Sequence, residues 1–400
     1  MKNTVKVDIA IVGGGIAGLW LLNRLRALGY SVILLESEAL GAGQTSKSQG
    51  IIHGGMKYAL QGMMTNATQS IADMPTVWQQ CLAGTGEIDL SAVQVLSPKQ
   101  YLWSSNTLGG KISGFLANIA LSSQVQALKR EDFPDIFQHP NFKGHVYALN
   151  EIVLDVHSLI RKLVKPHQDV IFKMASLKAE HLVFDESGYL NEIQINAEPL
   201  DTIAVKAEKF IFTAGAGNES LLQAVKNKGV AMQRRPLHMV VMKMPFLQPL
   251  YAHCLGMSAT PRITITTHQA QDGQTVWYLG GQLAEEGVAR DQAAQIQMAQ
   301  QELHSLFPWI DFSAAEFVSF FIDRAEGLQE DGKRPDSCTV KEIENIIVAW
   351  PTKLALAPKL TDEVITLIKQ SGIEAHTGDV RALRAWPMPI VTKPIWDELL

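Results

Sequence analysis

The sequence is poor in cysteine and in long apolar runs. Its 400 residues include three cysteines, Cys81, Cys254 and Cys338, which lie far apart in the chain. The sequence therefore predicts neither a disulfide framework nor a cysteine zinc site, and it is typical of a reducing, cytoplasmic compartment. Even the uncharged stretch 244–261 contains proline, glutamine and histidine. A membrane-spanning helix needs about 20 mostly apolar residues, so no integral membrane segment is expected.

An excess of positive charge is also missing. Thirty-five Lys and Arg against 40 Asp and Glu give a net charge of −5, which predicts no nucleic-acid partner. The apolar run beginning at Ile9 leads into glycines rather than into a cleavage site, so no signal peptide is expected. A length of 400 residues with 46% hydrophobic and 19% charged residues is typical of two or three packed globular units.

The amino-terminal residues carry a strand, a glycine turn and a helix. An apolar strand is predicted over 5–12, a helix over 16–28 ending at Gly29, and a second strand over 31–35 ending in Glu36. Between strand and helix stands the spacing Gly13-x-Gly15-x-x-Gly18. Its glycines permit a tight turn, close approach of a pyrophosphate and close helix–strand packing, while Glu36 can bind ribose hydroxyls. The pattern indicates an α/β domain that binds an adenine dinucleotide.

The segment after Glu36 indicates which dinucleotide. A nicotinamide-dependent dehydrogenase would continue with another helix, whereas residues 41–50 read GAGQTSKSQG. Such small residues offer backbone N–H groups and hydroxyls to the pyrophosphate and to the edge of a flavin, which favours FAD. The cofactor contacts predicted from these two segments are Gly13, Gly15, Ile16, Ala17, Gly18, Glu36, Ser37, Gln44, Thr45, Ser46, Ser48, Gln49, Gly50 and Ile52.

Four stretches, 11–18, 45–58, 210–217 and 345–358, resemble the FAD-dependent D-amino-acid oxidase superfamily. That superfamily includes glycine oxidase, L-2-hydroxyglutarate oxidase and flavin-linked glycerol-3-phosphate dehydrogenase. Residues 52–58, IHGGMKY, are most similar to the latter two, while the length is glycine oxidase-like. The resemblance implies an α/β fold, a Rossmann-like FAD-binding domain with a second domain built on an antiparallel β-sheet.

The resemblance also implies a division of the chain. Residues 1–75, 150–225 and 322–400 would form the FAD-binding domain, and 76–149 and 226–321 the substrate domain. Short β-type runs at 239–244, 264–267 and 276–280 predict the antiparallel sheet, and a polar-faced helix over 291–306 is expected to lie on it. An extended arm is expected after Arg384.

Further cofactor contacts follow from the resemblance. A strand near Leu177 would face the adenine, and the turn at Ala214 and Gly215 would approach the cofactor closely. Thr352, Lys353 and Leu354 lie where relatives place a strand end and helix N-terminus beside the flavin, and a positive group there would favour its reduction. Trp350 and Pro351 replace the usual glycines.

Cations are the predicted substrate groups. Arg324 or Arg334 would hold a carboxylate, although an ion pair with Asp323 or Glu326 is an equal alternative. Lys57 and Tyr58 follow the His53 turn where the glycerol-3-phosphate branch carries Arg and Tyr. The alternative for Lys57 is a solvated surface lysine.

Histidines and a tyrosine complete the candidate residues. Three interpretations of His53 stand in order of preference: a hydrogen bond to the flavin, a covalent attachment point for the flavin, and a histidine of the core. His238 and Tyr278 could handle protons on the substrate sheet, but core or surface positions are the stronger interpretation for both.

The combined prediction is an FAD-dependent oxidoreductase that transfers hydride from a small anionic amine, amino acid or hydroxy acid to flavin N5, with oxygen or a quinone as acceptor. A quinone would place this cytoplasmic protein peripherally at the inner membrane. The alternatives are a flavoprotein assisting RNA modification and a glycerol-3-phosphate-type dehydrogenase.

Overall fold

The computed structural model describes residues 4–54, 71–104, 125–196, 202–225, 229–256, 258, 260–329, 332 and 334–400. The strands are β1 (Thr4–Val12), β2 (Val32–Glu36), β3 (Val95–Ser97), β4 (Gln100–Ser104), β5 (Val125–Ala127), β6 (His145–Leu149), β7 (Val153–Leu154), β8 (Ile171–Lys173), β9 (Leu182–Phe184), β10 (Leu190–Ile195), β11 (Ile203–Phe212), β12 (Met232–Met244), β13 (Ala252–Cys254), β14 (Ile263–Gln269), β15 (Thr275–Gly280), β16 (Glu316–Gly327), β17 (Thr339–Ile343) and β18 (Ile346–Trp350). The helices are α1 (Ile16–Ala27), α2 (Met74–Leu82), α3 (Val156–Val164), α4 (Asn218–Ala224), α5 (Gln282–Glu286), α6 (Gln292–Leu306), α7 (Ala357–Gln370) and α8 (Ile395–Leu399).

The first sheet has a parallel centre, in the order β18-β11-β1-β2-β8. Strands β1 and β11 are almost continuously apolar, as expected of parallel strands covered on both faces. Helix α1 is buried around most of its surface because it packs between this sheet and other helices. The antiparallel strands β17, β10 and β9 complete the eight strands that the described residues contribute.

The second sheet runs in the order β16-β12-β15-β14-β13-β4-β6-β5 and is antiparallel apart from the β13–β4 pair. Its longest pairing joins β12 and β16, from Met232 opposite Gly327 to Lys243 opposite Glu316. A separate hydrophobic core forms between this sheet and α6, with Trp103, Trp277 and Phe307 among its buried side chains. The expectation of a Rossmann-like domain with a second, antiparallel domain is thus confirmed in architecture.

The boundaries between the domains remain a prediction. The structure places α2, which the sequence assigns to the substrate domain, in the core of the parallel sheet through Trp78 and Cys81. Strand β16 also continues past the predicted boundary at residue 322.

Two local expectations differ from the structure. Leu177 lies in a loop between β8 and β9 rather than on a strand, since backbone pairing at this sheet edge ends at Lys173. The arm after Arg384 ends in α8, whose Trp396 is buried and donates through Nε1 to the Gln269 carbonyl oxygen at 3.2 Å. Within the described residues, no helix combines the length and apolarity that crossing a membrane requires.

Candidate active site

A cavity of about 1310 Å³ lies between the two sheets. Ligand pockets usually measure roughly 300–1,000 Å³, so this one has room for a large cofactor together with a small substrate. The parallel sheet contributes the glycine turn and the end of β2, and the antiparallel sheet contributes residues of β13, β14 and β16.

The glycine turn packs too tightly for side chains. Gly13 has φ +110°, and a Cβ placed on it would stand 2.7 Å from the Ala214 backbone. A Cβ on Gly18 would stand 2.0 Å from the Gly13 carbonyl oxygen. Gly15 precedes α1 without a side chain to cap it; Thr45 accepts the Ile16 N–H, and the remaining N–H groups of this helix N-terminus lie at the cavity, where Gly15, Ile16 and Ala17 line the wall. This is a cradle for an anionic group such as a pyrophosphate.

Glu36 ends β2 beside that cradle. Its Oε2 accepts the Gly14 N–H at 2.6 Å and its Oε1 accepts the Glu38 N–H at 2.8 Å. These bonds fix a carboxylate at the cavity wall, at the carboxyl end of a parallel strand, which is where such folds bind the ribose of a dinucleotide.

The small-residue segment after Glu36 joins the two sheets. Thr45 Oγ1 accepts the Ile16 N–H at 3.0 Å, which ties the segment to α1. Gln49 Nε2 donates to the Tyr278 carbonyl oxygen at 2.8 Å, and the Tyr278 hydroxyl donates to the Lys47 carbonyl oxygen at 2.7 Å. The segment is therefore held on both sides of the cavity.

Arg324, Arg334 and Lys353 all line the cavity. Arg324 donates through Nε to the Arg235 carbonyl oxygen at 3.1 Å, while its Nη1 stands 3.8 Å from Glu285. Burial, with the guanidinium groups of Arg235 and Arg334, lowers the pKa of Arg324 to about 10. It remains charged at neutral pH, and a bound anion would relieve the repulsion among these cations.

The neighbouring arginines are already engaged by carboxylates. Arg234 donates to Glu219 at 2.7 Å and to Asp323 at 3.0 Å, and Arg235 forms an ion pair with the buried Glu326. The predicted alternative, an ion pair with Asp323 or Glu326, thus describes Arg234 and Arg235 in the structure. Arg324 meets neither carboxylate within the 4.0 Å limit of an ion pair.

His53 and His253 flank a buried carboxylate that also lines the cavity. Glu151 is 5% exposed; its Oε2 lies 3.2 Å from His53 Nδ1, and its Oε1 accepts the Gly54 N–H at 2.8 Å. Burial alone would raise the pKa of Glu151, but His53, His253 and the Gly54 amide hold it at about 2. The carboxylate is therefore ionised at neutral pH.

The segment after β18 is tied to the turn after β11. Trp350 Nε1 donates to the Gly215 carbonyl oxygen at 3.1 Å. Thr352 has φ +60°, which is rare for a β-branched residue, and its hydroxyl donates to the Ser337 carbonyl oxygen at 2.9 Å. Trp350 and Pro351, the departures from the glycines of relatives, both line the cavity.

The structure brings most of the predicted residues together. The predicted residues on the cavity wall are Gly13, Gly15, Ile16, Ala17, Glu36, Ser37, Gln44, Thr45, Ser48, Gln49, Gly50, His53, Ala214, Gly215, Arg324, Arg334, Thr352, Lys353 and Leu354. Lys57 and Tyr58 lie outside the described residues.

Six predicted residues do not line this cavity. Gly18 acts through packing, Ser46, Ile52 and Tyr278 are buried behind the wall, and Met174 takes the place expected for Leu177. His238 is fully buried, with Ser319 Oγ at 2.9 Å from Nε2 and the Gly287 carbonyl oxygen at 2.9 Å from Nδ1. Its ring stacks on Phe321, and Phe321 rather than His238 faces the cavity.

Glu151 and His253 are the main residues that sequence reasoning missed. Glu151 is an acid preceding the apolar run Ile152-Val153-Leu154, and His253 stands between Ala252 and Cys254. A polar residue within or directly beside an apolar stretch was the available signal, because such a residue needs a partner when it is buried.

These features define a dinucleotide-dependent enzyme with a cationic, histidine-containing cavity, and the comparisons identify the class. Residues 8–328 match the family described as FAD dependent oxidoreductase. A probable FAD-dependent oxidoreductase of Pseudomonas aeruginosa is 47% identical over 398 residues, 99% of each chain. The chain belongs to this family and is an FAD-dependent oxidoreductase.

Solved structures agree in fold. The crystal structure of the Pseudomonas aeruginosa FAD dependent oxidoreductase covers 100% of this chain and 99% of its own, with 43% identity and a TM-score of 0.85. Glycine oxidase from Geobacillus kaustophilus covers 94% and 98%, with 17% identity and a TM-score of 0.61. L-alpha-glycerophosphate oxidase from Mycoplasma pneumoniae, with FAD bound, covers 91% and 95%, with 14% identity and a TM-score of 0.62.

The residues present fit FAD. The glycine cradle and the N-terminus of α1 would hold the pyrophosphate, Glu36 the ribose, and the segments 44–50 and 350–354 the flavin. FAD supplies the two-electron acceptor, and the protein supplies position and charge around it.

Glu36→Ala is expected to weaken FAD binding about tenfold, since it removes a carboxylate placed to accept hydrogen bonds from the ribose. Titration of the apoprotein with FAD measures the dissociation constant. Glu36→Gln keeps an oxygen for the Gly14 N–H and so separates the loss of that bond from the loss of ribose contacts. Glu180→Ala, at an exposed residue that does not line the cavity, is the control. Unchanged affinity in both Glu36 variants would contradict the assignment.

Proposed function

We propose that this flavoenzyme oxidises a small anionic amine, amino acid or hydroxy acid, with oxygen or a quinone as the final acceptor. The observation that carries the proposal is the presence of Arg324, Arg334 and Lys353 among the residues that line the cavity. Arg324 is buried among other cations, and the Glu285 carboxylate stands 3.8 Å from its Nη1, beyond hydrogen-bond distance, so a substrate anion would complete its hydrogen bonding.

The proposed substrate class agrees with the names of structural neighbours. They include glycine oxidase, L-alpha-glycerophosphate oxidase and, from Chelativorans, iminodiacetate oxidase. Each name denotes a small compound that carries a carboxylate or a phosphate. The shared fold supports a search among such compounds, and the cations of this chain supply the reason that an anion would bind.

Anaerobic bleaching of the flavin tests this function without assuming an acceptor. The holoenzyme is mixed, without oxygen, with amino acids, N-methyl amino acids, hydroxy acids and phosphoglycerols. At least one anionic compound should bleach the flavin band, while its uncharged amide or ester should not. If a chemical reductant bleaches the flavin but no anionic compound does, the proposal is wrong.

A further inference from the structure

Glu151 connects two histidines that come from distant parts of the chain. His53 follows the small-residue segment, Glu151 follows β6, and His253 lies on β13. One imidazole nitrogen of each histidine and one carboxylate oxygen of Glu151 lie within 4.8 Å of one another. The two imidazole rings stack with their centroids 6.0 Å apart. All three residues line the cavity.

The buried carboxylate decides the tautomer of His53. Because Glu151 is ionised and can only accept, the hydrogen between its Oε2 and His53 Nδ1 belongs to the imidazole. The other ring nitrogen, Nε2, is then the unprotonated one. The arrangement is that of a carboxylate that orients a histidine general base.

His253 is held in a similar way. Its Nδ1 lies 2.8 Å from Thr264 Oγ1, and its Nε2 lies 3.5 Å from Gln100 Nε2. Gln100 is fully buried, and within the described residues its Oε1 has no hydrogen-bond partner. This oxygen is a buried acceptor next to His253 that a water molecule could satisfy.

Cations face the same cluster. Burial lowers the pKa of His53 below 6.5; Glu151 opposes this effect, and Lys353 and Arg334 add to it. A neutral His53 can take a proton at neutral pH. Lys353 and Arg334 would oppose the entry of a substrate ammonium group beside them, whereas a hydroxyl group adds no charge.

We propose that His53, positioned by Glu151 and accompanied by His253, takes the hydroxyl proton of the substrate, and that the substrate is a hydroxy acid. The inference rests on the proposed function and narrows its substrate class. Oxidation removes two hydrogens from the substrate. The O–H bond of the substrate breaks and its proton passes to His53 Nε2. The hydrogen on the carbon that carries this hydroxyl leaves with two electrons to FAD, and the C–O bond becomes C=O.

The test compares the wild type with Glu151→Gln and His53→Gln as FAD-loaded enzymes. Anaerobic flavin reduction by the best hydroxy acid should slow by about 10²- to 10⁴-fold in both variants. Substrate affinity should change little, because the cations are untouched. In the wild type the rate should fall only as pH drops through a pKa below 6.5. Exposed Glu316→Gln and His304→Gln are the matched controls and should behave as wild type.

Nitrogen-15 NMR of the histidines, recorded without substrate, provides a readout independent of turnover. The wild type should show His53 protonated at Nδ1, and Glu151→Gln should lose this tautomer preference while His53→Gln loses the signal. A normal reduction rate in Glu151→Gln, or one metal ion per chain in the purified protein, would overturn the proposal. If Glu151→Gln fails to fold, the reduction rate of His53→Gln and the pH profile of the wild type test the proposal instead.

The outcomes distinguish the hydroxy-acid inference from the proposed function on which it rests. If amino acids bleach the flavin and hydroxy acids do not, the hydroxy-acid inference is wrong and the proposed function stands. If no anionic compound bleaches the flavin, both are wrong.

Discussion

The Gly18→Ala variant should retain almost no FAD. The added methyl would stand 2.0 Å from the Gly13 carbonyl oxygen and 2.8 Å from Thr213 Oγ1. Helix α1 can make room only by moving away from β1, which would displace the cradle for the pyrophosphate. Overpacking of a tight core typically costs about 1–3 kcal/mol, and here the clash is with backbone.

The measurement for Gly18→Ala is the flavin-to-protein ratio after purification, together with the unfolding temperature. Ala27→Ser, on the exposed side of the same helix, is the control and should keep both values. A Gly18→Ala protein with full flavin content and a normal unfolding temperature would show that the turn is not closely packed.

Arg324→Ala should raise the Michaelis constant of an anionic substrate by about 10- to 100-fold, the worth of one or two hydrogen bonds to a charged group. The effect should fall mainly on binding, because the guanidinium is expected to hold the substrate carboxylate rather than the reacting carbon. Steady-state kinetics with the substrate found by bleaching provide the measurement. Arg334→Ala is tested in parallel.

The matched control for Arg324 is Arg234→Ala. Arg234 also lines the cavity, but Glu219 and Asp323 already occupy its guanidinium, so its loss should change substrate affinity much less. If neither Arg324→Ala nor Arg334→Ala alters the Michaelis constant, neither arginine holds the substrate carboxylate.

Local sequence patterns predicted the order of strand, turn, helix and strand at the start of the chain. The run from β1 through α1 to Glu36 follows from periodicity and glycine spacing, which are properties of neighbouring residues. Helix α3 begins after Asp155, because the Asp155 carboxylate accepts the Ser158 N–H as an N-cap. Such features depend on few residues and so can be recognised in one sequence.

The site residues of the substrate half could not be predicted in this way, because their positions depend on contacts between residues that are distant in the chain. His253 meets Thr264 across β13 and β14, and Glu151 meets His53 across 98 positions of chain. A strand pattern indicates that half of the side chains face one way without saying which face meets the cavity, so it could not separate His253 from His238. Only the register of the folded sheets makes that distinction.

Tyr278 and Gln49 fasten the cofactor segment to the antiparallel sheet through two reciprocal hydrogen bonds. Tyr278 itself is fully buried and does not line the cavity. A substitution there would release the segment 44–50 from the sheet and so weaken the binding of FAD, which makes this position a constraint on how the sheet can evolve.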